Sequence, residues 1–291
     1  MKLAVVLGAG GTGGWAFHLG VTRAMTEVFG RSVADADLVV GTSAGAAIGA
    51  SLRLGASTEE VLTSVTTPPT SQERAAIQDQ TGSRRSGLGR FLPLSPTLAL
   101  RGLANPRRAG LVMAGALPGG FFPTMGLSRF PRIQGHVGWP EGLLVTSVRV
   151  RDGALVVFGR DRTDVSLADA LEASSAVPGM FRPKDLDGEL FVDGATASAN
   201  HADLAAAVAP DLVVVSSVQS RPGVRASRVL ARRQLPRELR ALERAGARVA
   251  LVEPDRRIAE AFSGFPRSTR DRGPEIVELI AEHVREKLAA V

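Results

Sequence analysis

The stretch Leu38-Val39-Val40-Gly41-Thr42-Ser43-Ala44-Gly45-Ala46-Ala47-Ile48-Gly49-Ala50 decides how this chain is read. An apolar run stops at a serine bracketed by glycines. The small residues after it suit a helix packed close to its neighbours. Gly41 to Gly45 match G-x-S-x-G, a pattern that fits a tight strand-to-helix turn and leaves the serine hydroxyl free at a sheet edge. Gly41 and Gly45 relieve crowding in such an elbow. An ordinary β–α connection fits the same five residues, so the rest of the chain must separate the two.

Upstream, the apolar run Leu3–Leu7 ends in Gly8-Ala9-Gly10-Gly11-Thr12-Gly13-Gly14, and helical spacing follows from Trp15 to Val28. Backbone N–H groups of such a loop, next to a helix N-terminus, make a place for negative charge. Two functions fit. Residues 8–13 match the dinucleotide fingerprint G-x-G-x-x-G, and the same loop suits an oxyanion hole. The fingerprint also wants an acid at the end of the second strand. Asp35 and Asp37 precede Leu38–Val40 instead, and what ends that strand is Gly-Thr-Ser-Ala-Gly.

Downstream, Leu143–Arg151 and Ala154–Gly159 flank the turn signal Asp152-Gly153, and Phe181–Leu186 and Glu189–Val192 flank Asp187-Gly188. Leu167–Ser174, Asp203–Val208, Arg225–Arg248 and Glu275–Leu288 read as helices. Leu212–Val218 and Val249–Val252 read as strands. Alternating apolar strands and helices imply an α/β fold, with a mostly parallel sheet covered on both faces. Ser57, with Glu60 three positions on, reads as a capping box. Residues 60–140 are rich in Pro, Gly and Arg and read as a variable insertion or cap on a single domain spanning 1–291. Arg84, Arg85, Arg90, Arg101, Arg107 and Arg108 with Phe91, Leu92, Phe121 and Phe122 give that segment a basic and apolar mixture suited to a membrane surface.

The 291 residues contain no cysteine, which excludes disulfides and a thiol nucleophile. The four histidines (18, 136, 201 and 283) are too scattered for a metal site, and no metal or other cofactor is expected. The net charge of +6 is almost all arginine; Tyr is absent and aromatics are 4%, which argues against base stacking and a nucleic-acid partner. The apolar run at residues 3–7 is too short for a leader, and no stretch is long enough to span a bilayer. The expected location is cytoplasmic, with peripheral attachment to a membrane and a homo-oligomer both compatible with the sequence.

A nucleophilic serine needs a base. A triad in the order serine, acid, histidine would draw on His136, His201 or His283, none of which lies in a recognisable motif. The other candidate is Asp193 in Phe191-Val192-Asp193-Gly194-Ala195. It closes an apolar run and opens a loop of small residues. A partly desolvated carboxylate in that place can take the serine proton directly.

Three segments together resemble the patatin-like phospholipases. They are Val6–Gly14 leading to His18-Leu19-Gly20-Val21, then Gly41–Gly45, then Ala173–Phe181 followed by Phe191–Ala195. The resemblance covers residues 2–54 and 143–218. It implies a three-layer α/β/α fold and a serine hydrolase acting on carboxylic esters of lipids, of the phospholipase A, lysophospholipase or carboxylesterase type. It also implies Ser43 as nucleophile and Asp193 as base of a Ser–Asp dyad working through an acyl-enzyme. Gly10, Gly11 and Thr12 would form the oxyanion hole, Gly41 and Gly45 the nucleophile elbow, and Gly194 and Ala195 the base loop. An acyltransferase using the same dyad is the alternative. The chain departs from the family at Gly13, where Arg or Lys is common, and at Ala195, where a second glycine is usual. It also lacks the proline often found after the base loop.

Overall fold

In the computed structural model, β1 is Leu3–Leu7, five apolar residues that are all buried because the strand is covered on both faces. The structure describes residues 1–67, 70–71, 92–103, 109–124, 130–220, 226–261 and 272–291. Arg84, Arg85, Arg90, Phe91, Arg107 and Arg108 lie outside the described residues.

Helix α1 (Gly11–Phe29) returns the chain to β2 (Leu38–Gly41), which pairs parallel with β1, Leu7 opposite Gly41. Next come α2 (Ala44–Arg53) and α3 (Thr58–Thr66). The expected capping box opens α3: Ser57 Oγ accepts from Glu60 N–H at 3.1 Å, and Glu60 Oε2 accepts from Ser57 N–H at 2.6 Å. Two short helices follow, α4 (Pro96–Leu103) and α5 (Ala109–Ala116). The chain then forms β3 (Leu143–Arg149), β4 (Leu155–Phe158), α6 (Leu167–Ser174), β5 (Lys184–Leu186) and β6 (Glu189–Asp193). It ends with β7 (Leu212–Ser216), α7 (Ala226–Arg244), β8 (Arg248–Val252), α8 (Arg256–Ala261) and α9 (Gly273–Ala289).

The strand order is β5-β6-β3-β2-β1-β7-β8, with β4 also paired to β3. The run β3-β2-β1-β7-β8 is parallel throughout. Alternate residues of β1 feed two cores: Leu3, Val5 and Leu7 face a large cluster with α1, α2 and α9. Ala4 and Val6 face a second cluster with Ala202, Leu235 and Leu242. This is the three-layer α/β/α arrangement. Strand order reverses between β2 and β7 on either side of β1. Crevices for ligands form at such a point, beyond the carboxyl ends of the strands.

The register of β3 explains how two distant segments meet. On one edge, Val145 to Val148 pair with β4. On the other edge, Leu143 to Val145 pair with β2 and Ser147 to Arg149 pair with β6. Since β2 runs parallel and β6 antiparallel to β3, their carboxyl ends point at each other along one edge. Gly41 lies opposite Val145, and Asp193 opposite Ser147. Two residues of strand separate those positions, about 6.6–6.8 Å.

Two details differ from the sequence reading. Helix α1 begins at Gly11, not after Gly14, so the end of the glycine loop is itself the first helical turn. Residues Ala202–Val208 are 3₁₀ rather than α-helix. His201 and Ala209 both adopt positive φ at its ends, and Pro210 follows, leaving no room for a longer helix.

Helices α4 and α5 do not stand apart from the sheet. Leu98, Leu111 and Ala114 pack with Val148, Val150 and Val192. Gly110 comes so close to the loop after Asp193 that a Cβ there would sit 2.1 Å from the Thr196 carbonyl oxygen.

Candidate active site

Ser43 lies between β2 and α2 with φ 55° and ψ −121°. This is a conformation that a residue with a side chain occupies at a cost of about 1–3 kcal/mol. The surroundings hold it there. Thr42 N–H donates to Leu7 O at 3.0 Å, and Ser43 N–H donates to Ser174 Oγ at 2.9 Å. The elbow needs glycine for space: a Cβ on Gly45 would lie 2.1 Å from Leu7 O, and one on Gly41 2.4 Å from Ala46 Cα. Gly45→Ala must therefore push α2 off the end of β1. The expected loss is about 1–3 kcal/mol, as for other overpacked interiors, read as a lowered urea midpoint. An unchanged midpoint would mean that the two backbones separate freely.

Asp193 ends β6 and is 2% exposed. Its N–H donates to Ala176 O at 3.0 Å, and its Oδ1 accepts from Ala195 N–H at 2.8 Å. The Ser43 side chain lies beside the same carboxyl, close enough to favour its charged form. Burial pushes Asp193 up to about 6, against the Ala195 hydrogen bond and the nearby Ser43 side chain, which favour its charged form. The structure thus brings Ser43 and Asp193 together. Thr146, between the two paired positions on β3, bonds Thr42 through their hydroxyls at 2.8 Å and fills the space beside Gly194. Among the described residues other than glycine, positive φ occurs at Ser43, Arg132, Asp187, His201 and Ala209. Ala195 is not among them, so the base loop does not require a second glycine there.

The glycine loop lies beside the elbow. Gly10 precedes α1, and the first helical bond runs from Gly14 N–H to Gly10 O at 3.0 Å. The N–H groups of Gly10, Gly11 and Thr12 fall before that bond and have no acceptor within the helix. The loop is clamped from three sides. Gly8 N–H donates to Ser216 O at 3.0 Å, and Ala9 N–H to Ala199 O at 2.7 Å. His18 Nε2 donates to Gly8 O at 2.7 Å. That bond fixes the tautomer, so Nδ1 accepts from the Ser216 hydroxyl at 2.8 Å. Burial holds His18 down at about 4, although its bond to Gly8 works in the opposite sense.

His201 is buried, and its Nε2 donates to Gly194 O at 3.0 Å. It supports the base loop from behind. Glu238 of α7 supports the same loop: it accepts from the Ser198 hydroxyl and, at 2.9 Å, from Ala202 N–H. Burial raises its pKa, against the attraction of His201. The Arg-rich segment 225–248 thus carries one buried acid between Leu235 and Leu242. Leu235, Glu238 and Leu242, three and four residues apart, share that face of the helix. Asn200 is also buried, against Gly8, with neither end of its carboxamide hydrogen-bonded.

The dinucleotide alternative fails on placement. Asp37 accepts from Leu3 N–H at 2.8 Å at the entry end of β1 and β2, whereas the glycine loop lies at their exit. No acid from the 35–37 pair reaches a ligand on that loop.

The profile of the patatin-like phospholipases matches residues 5–206, well over half of the chain. The chain belongs to the patatin-like phospholipase family. Two of the similar solved structures align over 98% of this chain. VipD from Legionella pneumophila is 14% identical, with a TM-score of 0.43. The type III effector protein ExoU is 19% identical, with a TM-score of 0.38. This chain spans 66% of the length of VipD and 53% of that of ExoU. No helix among the described residues of this patatin-like chain is long and apolar enough to cross a membrane.

Proposed function

We propose that the protein hydrolyses acyl esters of lipids through a Ser43–Asp193 dyad. The observation that carries this reading is the placement of Ser43, on a strained elbow, beside the buried Asp193 carboxyl, whose pKa is raised to about 6. Asp193 takes the proton as Ser43 Oγ attacks the ester carbonyl. The oxyanion is held by the N–H groups of Gly10, Gly11 and Thr12. The intermediate collapses, the C–O bond to the alcohol breaks, and Asp193 returns its proton to the leaving oxygen. Asp193 then deprotonates a water that attacks the acyl-enzyme. The fatty acid leaves, and Ser43 recovers a proton.

Helix α5 presses on the loop after Asp193 through Gly110, which supports a role for the 60–140 segment in shaping the site. A fluorophosphonate probe tests the nucleophile. The wild-type protein is expected to take up one probe per chain, and Ser43→Ala none. Stoichiometric labelling of the Ser43→Ala protein would remove Ser43 from the mechanism.

A further inference from the structure

We propose that Leu117, Phe122, Val177 and Met180 form the surface through which the enzyme docks on a lipid aggregate. This inference rests on the lipid-hydrolase reading and adds to it where the lipid surface meets the protein. The four side chains are 39%, 54%, 37% and 52% exposed. They come from two segments zipped together by their backbones. Phe121 and Phe122 N–H both donate to Met180 O, at 3.0 and 3.1 Å. Arg182 N–H donates to Phe122 O at 2.7 Å, and Gly179 N–H to Pro118 O at 3.1 Å. Leu117 lies along Gly179. These bonds hold the apolar side chains out in water instead of letting them fold inward.

The same segment is tied to the candidate dyad. Ser174 Oγ accepts from Ser43 N–H, and Ala176 O accepts from Asp193 N–H. Val177 is the next residue, and Met180 is four residues beyond Ala176. At about 3.8 Å per residue, Val177 and Met180 lie within about 15 Å of Ala176 along the chain. Charge favours a lipid surface as the occupant. Residues 117–124 and 175–183 contain no acid and one arginine, in a chain of net charge +6. Exposed apolar groups without acidic neighbours suit insertion among lipid headgroups, anionic ones included. Size argues against a second copy of the chain. The four side chains expose on the order of 350 Å², less than half of the ~800 Å² per partner in a stable protein interface.

The test pairs Phe122→Ser/Met180→Ser with two substrates and a binding assay. Vesicles of phosphatidylcholine and phosphatidylglycerol (3:1) are sedimented with Ser43→Ala protein, with and without the two serines. The serines are expected to weaken vesicle binding about tenfold or more. With Ser43 intact, they are expected to leave turnover of a soluble butyrate ester within about twofold and to lower turnover on vesicles about tenfold. Phe122→Trp gives an independent readout: its emission should shift to the blue when vesicles are added.

Equal vesicle binding with and without the serines would overturn the inference. So would a parallel loss of soluble-ester turnover, or a wild-type dimer that the serines dissociate without changing vesicle binding. If the wild-type protein turns over neither substrate and takes no fluorophosphonate, the hydrolase reading fails. The Ser43→Ala sedimentation then still decides whether this surface binds lipid.

Discussion

Replacing Asp193 with Asn is expected to lower ester turnover by about 10²–10⁴-fold, the range that positioned general bases contribute. Asn keeps the shape of the side chain and can still accept from Ala195 N–H, so the base loop should hold. What it cannot do is take the Ser43 proton. The wild-type pH profile should carry the same signature. In the proposed mechanism the base works as the carboxylate, and burial places the Asp193 titration at about 6. kcat/KM on a soluble ester is therefore expected to rise through pH 6 and level off above it. His18 does not add to that limb, because burial keeps it neutral down to about pH 4. Full turnover by Asp193→Asn, or a wild-type profile flat from pH 5 to 8, would exclude Asp193 as the base.

Ser43 and Asp193 were legible in the sequence for the same reason: each follows an apolar strand at the point where small residues begin. The device that joins them was not. Leu143–Arg151 reads as one strand, but nothing in its residues says that β2 and β6 share one of its edges and meet near Thr146. Pairing is set by tertiary packing and is silent in any single segment. The glycine loop was legible as a site for negative charge. That its second half forms the first turn of α1 was hidden, since glycine runs ordinarily disfavour helix. The supports at His18, His201 and Glu238 were obscured for a further reason. Each is a polar residue inside the fold, and sequence patterns place polar residues outside. The Arg-rich texture of α7 in particular reads as a solvated face, which it is on every side except the one that carries Glu238.

The two buried groups nearest the chemistry act on stability in opposite directions as pH changes. The His18 pKa is lower in the folded protein (about 4) than its ordinary 6.5, so the unfolded chain binds protons more readily between those values. Its contribution is complete above pH 6.5 and is lost as pH falls toward 4. The Asp193 pKa is higher in the folded protein (about 6) than its ordinary 3.8. Its contribution is complete below pH 3.8 and is lost as pH rises through 6. At about 1.4 kcal/mol per pH unit each effect is of order 3 kcal/mol, and over pH 4–6.5 the two nearly cancel. Asp193→Asn removes one of them. Its stability should match the wild type near pH 4 and exceed it by up to about 3 kcal/mol at pH 8, where the wild-type protein must keep a charge buried. Urea titrations of both proteins across that range would read the difference directly. Equal stability at pH 8 would mean that the Ala195 hydrogen bond and the polar surroundings of Asp193 repay the burial of the carboxylate in full. A gain at pH 8 alongside lost turnover would show that the enzyme gives up stability to hold a base beside Ser43.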